Sequence, residues 1–583
     1  MARFAKLTPS YSVSAQITEA DVGGAVAQGF KAIINNRPDG EAEDQPPSSE
    51  IAAAAERHGI EYRHIPVVAG KLKGADVEAM RAALDELKGP VLAFCRTGTR
   101  STTLWALVHA PRIAPDAILA TAEGAGYDLS GLREKLEDAY EGHEDQTDSA
   151  KGPRHAGASY DVVIVGGGCA GIAVASSLLK RASALRVAII EPKDDHYYQP
   201  GWTLVGGGVF DRKKTRRDEA GLIPPGAKWI RAAASEFLPD HNMVVLEDGE
   251  TVGYRALVVC PGIKLDWDAI EGLKETLGKN GVTSNYMVDM ASYTWSLVQN
   301  LKGGTAIFTQ PPMPIKCAGA PQKAMYLSCS YWERQGRLKD IHVEFNNAGG
   351  VLFGVQDYVP PLMEYVKRYN AELCFLSNLK KVDGPAGKAW FEVTDKDGKK
   401  STVEKAFDMI HVCPPQTAPD FIRNSPLADQ AGWVEVSPET LQHVRYGNIF
   451  GLGDACSAPN AKTAAAVRKQ SPTVVRNLLA VLAGETPRTI YEGYGSCPLT
   501  VERGKVVLAE FGYGGQLQPT FPLDSTKPRW IWWILKAKLL PIIYWELLLK
   551  GREWLVSLKT IPGAPASHEK AQSMADKQGG KTK

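Results

Sequence analysis

Residues 160–191 read YDVVIVGGGCAGIAVASSLLKRASALRVAIIE, which is a strand, a glycine-rich turn, a helix and a second strand. Gly166, Gly168 and Gly171 follow the G-x-G-x-x-G spacing. The first glycine allows the tight turn, the second lets the backbone approach a pyrophosphate, and the third lets helix and strand pack closely. Glu191 follows Gly171 by 20 residues, where a carboxylate accepts a hydrogen bond from a ribose hydroxyl in this motif. The stretch predicts a Rossmann-like dinucleotide-binding domain.

A second arrangement near the far end indicates which dinucleotide is bound. Residues 446–470 read YGNIFGLGDACSAPNAKTAAAVRKQ, a strand that ends at Gly453 and Asp454 and is followed by a helix. This resembles the second signature of two-dinucleotide-domain flavoproteins, which implies non-covalently bound FAD with the aspartate on its ribitol. Lys462 places a cation by the flavin or is a solvated lysine at a helix start. The expected cofactor-binding residues are Gly166, Gly168, Gly171, Glu191, Gly262, Lys323, Gly453, Asp454 and Lys462.

The middle of the chain disfavours NAD(P)H as the reductant. Relatives that take electrons from NAD(P)H carry a second glycine fingerprint after a strand in this region. Here the strand GTAIFTQ (304–310) runs into PPMPIKCAGAPQK (311–323), which is rich in proline and has no G-x-G-x-x-G. A pyrophosphate cradle is therefore not expected at this strand.

The cysteines are the candidate electron entry point. Nine cysteines, an odd number without regular spacing, indicate a reducing compartment and individually placed thiols. Cys317 stands beside Lys316 and before Lys323, whose charges favour a thiolate. Cys456 follows Asp454 by two residues, close to the expected flavin. No zinc-ligand spacing occurs, so no metal is expected. Small core residues are predicted for Cys169, Cys260, Cys329, Cys374, Cys413 and Cys497.

Several longer segments resemble the sulfide:quinone oxidoreductases of the mitochondrial-like type. They are HYYQPGWTLVGGG (196–208), SNY (284–286), PIKCAGAPQKAMYLS (314–328), FGV (353–355), HVCPPQ (411–416), GDACSAPNAKTAAAV (453–467) and SCPL (496–499). The resemblance implies FAD, sulfide as reductant, a membrane quinone as acceptor and sulfane sulfur as product. It also implies a Cys317–Cys456 redox pair bridged through sulfur, with a small thiol or sulfite removing the outer sulfur.

Three other functions remain as alternatives to this resemblance. A soluble sulfide dehydrogenase would pass its electrons to a cytochrome, and a type II NADH dehydrogenase would use NADH. A non-enzymatic sulfide sensor or scaffold would need no reactive FAD.

The C-terminal segment 527–559, KPRWIWWILKAKLLPIIYWELLLKGREWLVSLK, is rich in tryptophan and carries seven basic and two acidic residues. Lys536, Lys538 and Pro541 interrupt its apolar run, so it is not expected to span a membrane. We expect a pair of amphipathic helices in the membrane interface, or else helices packed on the domain or on a dimer partner. The N-terminus shows no secretion signal, which predicts a peripheral protein on the cytoplasmic face of a membrane.

The N-terminal region predicts a second chemistry. Cys95 ends a strand in FCRTGTRS (94–101), with Arg100 in the same loop before a helix. Such a loop directs backbone N–H groups at an anion, favours a thiolate and lets the arginine clamp an oxyanion. It resembles phosphatase and rhodanese cradles, and its four residues between Cys and Arg match the rhodanese-like loop. We predict that Cys95 forms a persulfide and so accepts or relays sulfur. One alternative is a phosphatase, in which Asp39 would act as the general acid instead of only forming a turn. The other alternative is a structural module without activity.

The chain has 583 residues, of which 23% are charged and 44% hydrophobic, with a net charge of +1. This composition is that of a globular α/β protein and gives no support to nucleic-acid binding. The sequence does not decide whether the protein forms a homo-oligomer. The predicted divisions are a phosphatase-like or rhodanese-like domain (1–140), a linker (141–158), an FAD domain (159–525), interfacial helices (526–560) and a polar tail (561–583).

Overall fold

The computed structural model describes residues 3–8, 10–87, 89–110, 113, 115–144, 158–459 and 461–561. The chain forms two compact units, Met1–Ser159 with Ser235–Gly253 and Tyr160–Ala234 with Tyr254–Lys583. The predicted polar tail, except Ile561, and most of the predicted linker lie outside the described residues. Helix Arg133–Glu144 extends into the stretch that was predicted to be a linker from residue 141.

The first unit is a three-layer α/β fold. Its sheet has the order β1-β2-β5-β3-β4, in which β1 is antiparallel and the other neighbours are parallel. The strands are β1 Ala5–Thr8, β2 Tyr11–Ser14, β3 Ala32–Asn35, β4 Glu61–His64 and β5 Val91–Phe94. The helices are α1 Glu19–Ala27, α2 Ser48–Arg57, α3 Gly74–Glu86, α4 Thr99–His109, α5 Pro115–Gly124 and α6 Arg133–Glu144.

Alternation along the central strands explains why both faces of this sheet are covered. Ile33 and Leu92 belong to one core cluster, whereas their neighbours Ile34 and Ala93 belong to the other. Successive strand side chains point to opposite faces, so apolar residues at every position require helices on both sides. Cys95 directly follows β5, at the carboxyl edge of the sheet.

The second unit begins at the fingerprint strand and contains most of the chain. Its strands, together with the hairpin strands that group with the first unit, are β6 Ser159–Val165, β7 Val187–Ile190, β8 Asp195–Tyr197, β9 Arg216–Asp218, β10 Ala227–Ile230, β11 Ala234–Leu238, β12 Met243–Leu246, β13 Thr251–Val259, β14 Lys264–Leu265, β15 Val282–Thr283, β16 Gly304–Gln310, β17 Ile341–Asn347, β18 Glu372–Phe375, β19 Ser377–Asp383, β20 Lys388–Thr394, β21 Lys400–Ala406, β22 Met409–His411, β23 Gln416–Thr417, β24 Ile449–Gly451, β25 Thr489–Ile490, β26 Gly495–Glu502, β27 Lys505–Phe511 and β28 Lys559–Thr560. Its helices are α7 Cys169–Arg181, α8 Trp202–Gly206, α9 Leu273–Thr276, α10 Val288–Asn300, α11 Ala320–Arg334, α12 Val359–Arg368, α13 Asp420–Arg423, α14 Ala464–Leu482, α15 Trp530–Ile534 and α16 Leu540–Ile542.

A mixed sheet and a parallel sheet form the frame of this unit, in keeping with the two predicted Rossmann-like domains. In the first, β10, β7 and β6 run parallel, and β24 pairs in parallel with β13. The second has the order β15-β22-β16-β17-β18 with parallel neighbours throughout. The glycine turn follows β6, the Gly–Asp motif follows β24, and the loop with Cys317 follows β16. All three therefore lie at carboxyl edges of parallel strands, where α/β folds bind ligands.

The C-terminal segment differs from the expected pair of helices. One helical run extends from α15 through a π-helical turn (Leu535–Leu539) and α16 to a second π-helical turn (Ile543–Leu548). Pro541 has no N–H for a regular helical bond, which explains a local departure from α geometry without a chain break. In the described part of the chain, no helix combines the length and apolar character needed to cross a membrane.

Candidate active site

The glycine turn after β6 is built as a phosphate cradle. Gly166 has φ +108°, and a Cβ there would lie 2.6 Å from the Cys260 carbonyl oxygen. A Cβ on Gly171 would lie 1.9 Å from the Gly166 carbonyl oxygen, so helix and strand approach too closely for a side chain. At Gly168 a Cβ would meet no atom within 4 Å, which leaves this backbone open to a ligand. The backbone geometry at the three glycines is the one that the predicted roles require, and their contact with a pyrophosphate stays a prediction.

A single cavity of about 890 Å³ joins the two predicted cofactor motifs. Of the predicted residues, it is lined by Gly168, Glu191, Gly262, Cys317, Lys323, Gly453, Asp454 and Lys462. Gly166 and Gly171 stand behind this wall and shape it. Glu191 Oε2 accepts a hydrogen bond from the Gly167 N–H at 2.9 Å, so the ribose-binding candidate also holds the turn in place.

Glu219 is a polar cavity residue that sequence reasoning missed. Its Oε2 lies 3.0 Å from His196 Nδ1, and His196 Nε2 lies 2.7 Å from the Tyr544 hydroxyl. Its Oε1 is buried without a hydrogen-bond partner and would lie 2.5 Å from a Cβ on Gly167. Burial raises the pKa of Glu219. A buried oxygen without a hydrogen-bond partner at the edge of an open glycine turn is suited to accept from a ligand hydroxyl. No motif in the sequence points to Glu219.

Lys462 is buried rather than solvated. Its Nζ donates to the carbonyl oxygens of Asp454 at 2.7 Å and Cys456 at 3.0 Å, and it lies 3.9 Å from the centre of the Trp433 ring. Burial lowers the pKa of this lysine. Lys462 therefore fixes the loop that presents Asp454 to the cavity, and the alternative of a solvated lysine is wrong.

The thiol beside Cys317 is Cys497, and this corrects the expected pairing with Cys456. The two sulfur atoms, Cys317 Sγ and Cys497 Sγ, are 3.3 Å apart. Cys317 has a left-handed backbone (φ 53°), and its N–H donates to the Lys462 carbonyl oxygen at 2.9 Å. Gly319 makes room for the pair, because a Cβ there would lie 2.8 Å from Cys497 Sγ. Cys497 is a buried core residue, as predicted, and in addition it contacts Cys317.

Cys456 points elsewhere for a local reason. The turn Gly453–Ala455 precedes Cys456, and the backbone of Cys456 then bridges to Val434. Cys456 Sγ contacts the Gly453 carbonyl oxygen at 3.3 Å. Of Cys317, Cys456 and Cys497, only Cys317 lines the cavity, so the contact with Cys317 Sγ is what distinguishes Cys497 from Cys456. Its closeness in sequence to Asp454 therefore gave the wrong partner.

Two lysines surround the thiol pair. Lys323 Nζ, on the first turn of α11, lies 2.9 Å from Cys317 Sγ. Lys536, from the C-terminal helical run, donates to the Pro498 carbonyl oxygen at 2.8 Å and to Thr500 Oγ1 at 2.6 Å, both just beyond Cys497. Lys323, expected to bind the cofactor, thus contacts the thiol pair. Lys536, which was predicted only to interrupt an apolar run, is buried here.

The electrostatics separate the two sulfurs into a thiolate and a thiol. The hydrogen bond from Cys497, followed by the positive charge of Lys323, holds the pKa of Cys317 well below the usual thiol range. The same hydrogen bond raises the pKa of Cys497. Burial lowers the pKa of Lys536. These shifts make Cys317 the better nucleophile or leaving group of the two sulfurs and Cys497 the hydrogen-bond donor.

The N-terminal loop holds its cysteine as predicted. Cys95 is fully buried, and its Sγ accepts from the Gly98 N–H at 3.2 Å. Arg100 lies on the first turn of α4, which begins at Thr99, and not in the loop before the helix as the sequence predicted. Asp39 accepts from the N–H and the hydroxyl of Ser48 at 2.7 and 2.8 Å, and this hydrogen bonding lowers its pKa. Asp39 therefore caps α2 and is unsuited to donate a proton.

Known proteins resemble both parts of the chain. The family "Beta-lactamase hydrolase-like protein, phosphatase-like domain" matches residues 3–112, and "Pyridine nucleotide-disulphide oxidoreductase" matches residues 160–289. The mitochondrial sulfide:quinone oxidoreductase of Mus musculus is 41% identical over 67% of this chain and 87% of its own length. The chain belongs to the sulfide:quinone oxidoreductase family.

Two further relatives agree with this division. The beta-lactamase hydrolase-like protein of Agrobacterium fabrum is 37% identical over 23% of this chain and 31% of its own length, so the chain spans about a third of that relative. The crystal structure of the Aquifex aeolicus sulfide:quinone oxidoreductase shares the fold, with a TM-score of 0.59 at 19% identity over 70% of this chain and 99% of that one. FAD is the cofactor of the family fold. The open backbone at Gly168 and the unpartnered Glu219 oxygen fit it.

Two glycine substitutions separate cofactor binding from packing. Gly168→Ala puts a methyl group where the pyrophosphate approaches, so we expect FAD binding to weaken roughly tenfold with the apoprotein melting temperature unchanged. Gly171→Ala meets the Gly166 carbonyl and should lower apoprotein stability by about 1–3 kcal/mol. Fluorescence titration with FAD and thermal melts measure both effects. Gly221→Ala, with no atom within 4 Å of its Cβ, is the control; equal effects of all three changes would contradict the assignment.

Removal of the Lys323 charge should raise the pKa of Cys317. In the chemically reduced protein, wild-type Cys317 stays a thiolate below the ordinary thiol pKa of about 8.5, so it is alkylated at about pH 6.5. In Lys323→Gln we expect the alkylation rate at that pH to fall roughly tenfold per unit of pKa increase and to recover as the pH rises. Peptide-resolved mass spectrometry measures the rate at Cys317 alone. Lys302→Gln, at an exposed position, is the control, and superimposable pH profiles of wild type and Lys323→Gln would refute the charge pairing.

Proposed function

We propose that this chain oxidises sulfide at the Cys317–Cys497 pair, releases sulfane sulfur to a small thiol or sulfite, and transfers the electrons to a quinone. The observation that carries the proposal is the 3.3 Å separation of Cys317 Sγ and Cys497 Sγ, since Cys317 lines the cavity that also holds the dinucleotide cradle. Family membership supports the same reaction, since the relatives are sulfide:quinone oxidoreductases. When bound, FAD takes two electrons from the sulfur centre and passes them to the quinone.

The sulfur separation suits a resting bridge of one additional sulfur atom. A disulfide bond is about 2.05 Å long, whereas two such bonds that meet at a bent sulfur place the outer atoms roughly 3.3 Å apart. Hydrosulfide attacks Cys497 Sγ and breaks its bond to the bridging sulfur. The products are a neutral persulfide on Cys497 and a persulfide anion on Cys317, so atoms and charge balance.

The surrounding residues favour this direction of cleavage. The departing anion develops on the Cys317 side, 2.9 Å from the Lys323 ammonium, and a buried cation stabilises such a charge more strongly than water does. A thiolate acceptor then removes the outer sulfur of Cys497 as a new persulfide and leaves a Cys497 thiolate. Loss of two electrons from the two sulfur anions closes the bridge again. Lys536 keeps the strand of Cys497 in place through Pro498 and Thr500.

Substitution of single cysteines tests the pairing. We expect Cys317→Ser and Cys497→Ser each to lower sulfide-dependent quinone reduction by roughly a thousandfold or more, because neither can form the bridge. Cys456→Ser should keep activity within about threefold, since its sulfur contacts the Gly453 carbonyl oxygen and not the Cys317 thiol. Quinone reduction is followed by absorbance, with FAD content measured in each variant. Loss of activity in Cys456→Ser with retention in Cys497→Ser would instead support the Cys317–Cys456 pair that the sequence predicted.

The C-terminal helical run supports attachment to a membrane surface. One face packs on the protein through Trp532, Tyr544 and Trp545. Other apolar residues remain exposed, with Trp530 at 67% and Ile542 at 56%. Trp-rich apolar faces beside lysines bind in the membrane interface. The run thus combines both expected roles, packing on the domain and presenting an apolar surface.

The same run lines the active-site cavity. Leu535, Leu540 and Ile543 contribute apolar wall to it. A hydrophobic quinone that enters from lipid would therefore meet apolar side chains between the exposed surface and the flavin site. This arrangement favours a membrane quinone over a soluble cytochrome as the electron acceptor. We place the protein at the cytoplasmic face of a membrane, attached peripherally through residues 527–559.

Charges on the exposed face should separate membrane binding from catalysis. We expect the double variant Trp530→Glu, Ile542→Glu to lose most of its sedimentation with phosphatidylglycerol-containing vesicles, because burial of carboxylates in the interface is unfavourable. Reduction of a water-soluble short-chain quinone should stay near the wild-type rate. Val403→Glu, at an exposed position on β21, is the matched control. Full vesicle binding by the double variant would show that another surface attaches the protein.

For the N-terminal unit we propose that Cys95 carries sulfane sulfur. The Cys95 thiolate attacks the outer sulfur of an organic hydropersulfide, which gives a Cys95 hydropersulfide and a free thiolate. The loop with four residues between Cys95 and Arg100 supports this chemistry. The engagement of Asp39 as a helix cap argues against it as the general acid that a phosphatase needs.

Cys95→Ser tests this second activity. Incubated with glutathione hydropersulfide without quinone, the wild-type protein should gain one sulfur atom on the Cys95 peptide, and cyanide should remove it as thiocyanate. In Cys95→Ser both signals should disappear at that peptide, while sulfide-dependent quinone reduction stays unchanged. Loss of phosphate-ester cleavage in this variant, with sulfur transfer unaffected, would establish the phosphatase instead.

A further inference from the structure

Glu41 occupies the anion clamp of the Cys95 loop. Its two carboxylate oxygens accept from the two Nη atoms of Arg100, each at 2.7 Å. Arg100 is the residue that a phosphatase-like cradle uses to grip an oxyanion, and two parallel bonds of this kind are the strongest grip it offers. The chain thus supplies its own carboxylate where a bound oxyanion would be expected.

The contact is a built arrangement rather than a surface ion pair. Arg37, which is buried, donates from Nε to Glu41 Oε2 at 3.0 Å and from Nη1 to Gln16 Oε1 at 2.8 Å. Arg100 Nη1 also donates to the Val67 carbonyl oxygen at 2.6 Å. The exposed fractions of the side chains are 5% for Arg37, 14% for Arg100 and 21% for Glu41. Two arginines and the loop after β3 therefore hold the carboxylate in one orientation.

We propose that Glu41 acts as a built-in counter-anion that fills the Arg100 clamp and restricts the Cys95 cradle to sulfur species with at most one negative charge. The proposal rests on the sulfur-carrying function of Cys95 and names the residue that sets its specificity. With Glu41 and a Cys95 thiolate, the charges of Arg37 and Arg100 are already balanced.

A phosphate dianion would have to expel Glu41 to reach the guanidinium. That step would leave a partly buried carboxylate without its partners and would bring two further negative charges beside the thiolate, both of which are costly. Hydrogen bonding from Arg100 keeps the pKa of Glu41 below its usual range, so the carboxylate stays ionised at neutral pH and does not serve as a proton donor. Glu41 is thus suited to excluding dianions from the Arg100 guanidinium and unsuited to general acid catalysis.

A hydropersulfide makes smaller demands on the same loop. Its outer sulfur needs an N–H donor close to Cys95 Sγ, and the Gly98 N–H is already directed there at 3.2 Å. The Tyr127 hydroxyl closes over this part of the loop, since a Cβ on Gly98 would lie 2.1 Å from it. Neither group requires the Arg100 fork to be free. A small sulfur chain therefore fits where a tetrahedral dianion does not.

The test uses the full-length holoprotein without quinone, glutathione hydropersulfide as sulfur donor and inorganic phosphate as competitor. Sulfur uptake at Cys95 is measured on the isolated peptide by mass spectrometry. We expect wild-type uptake to be insensitive to phosphate and Glu41→Gln uptake to be inhibited at a phosphate concentration at least tenfold lower. Glu41→Asp, which keeps the charge, is the control and should resemble the wild type.

The outcomes separate this inference from the function on which it rests. Equal phosphate sensitivity of wild type and Glu41→Gln, with sulfur still carried by Cys95, overturns the role of Glu41 and leaves the sulfur-carrying function intact. No uptake at Cys95 in the wild-type protein overturns that function itself. Should Glu41→Gln not fold, Arg37→Gln removes one of the two guanidinium groups that hold Glu41 Oε2 and leaves the Arg100 contacts in place, so it should give intermediate phosphate sensitivity. An unchanged response would contradict the inference.

Discussion

A thiolate held against an ammonium group inside the protein is the interaction on which the active site depends. Burial of a negative sulfur is unfavourable unless a positive charge and a hydrogen-bond donor accompany it. Lys323 supplies the charge at 2.9 Å and Cys497 supplies the donor at 3.3 Å. These partners come from α11 and β26, and Lys536 braces β26 from the C-terminal helical run. The site is therefore complete only when three distant parts of the chain are packed together.

Local motifs made the cofactor site predictable from the sequence. The roles of Gly166, Gly168 and Gly171 depend on the backbone of one turn, and the Gly–Asp motif likewise follows directly from one strand, β24. The sequence left open whether Lys462 is solvated or lies by the flavin, because its burial against Trp433 involves a segment that precedes it by about thirty residues. Glu219 was missed because no spacing links it to the glycine turn that it adjoins.

The thiol pair could not be predicted in the same way. Cys317 and Cys497 are 180 residues apart, and their contact depends on the register of β26 and on the small volume of Gly319. Closeness in sequence to Asp454 favoured Cys456, but the turn through Ala455 directs that sulfur towards Gly453. The contacts of Lys536 could not be predicted either, and its charged side chain was interpreted only as an interruption of an apolar helix. Side chains that meet through tertiary packing leave no periodic signal.

The most direct measurement of the central claim is a peptide map of the holoprotein under non-reducing conditions, after exposure to sulfide and quinone without a sulfur acceptor. We expect a peptide with Cys317 joined to a peptide with Cys497 through one additional sulfur atom, and an unmodified Cys456. A cross-link between Cys317 and Cys456, or sulfur on neither Cys317 nor Cys497, would contradict it.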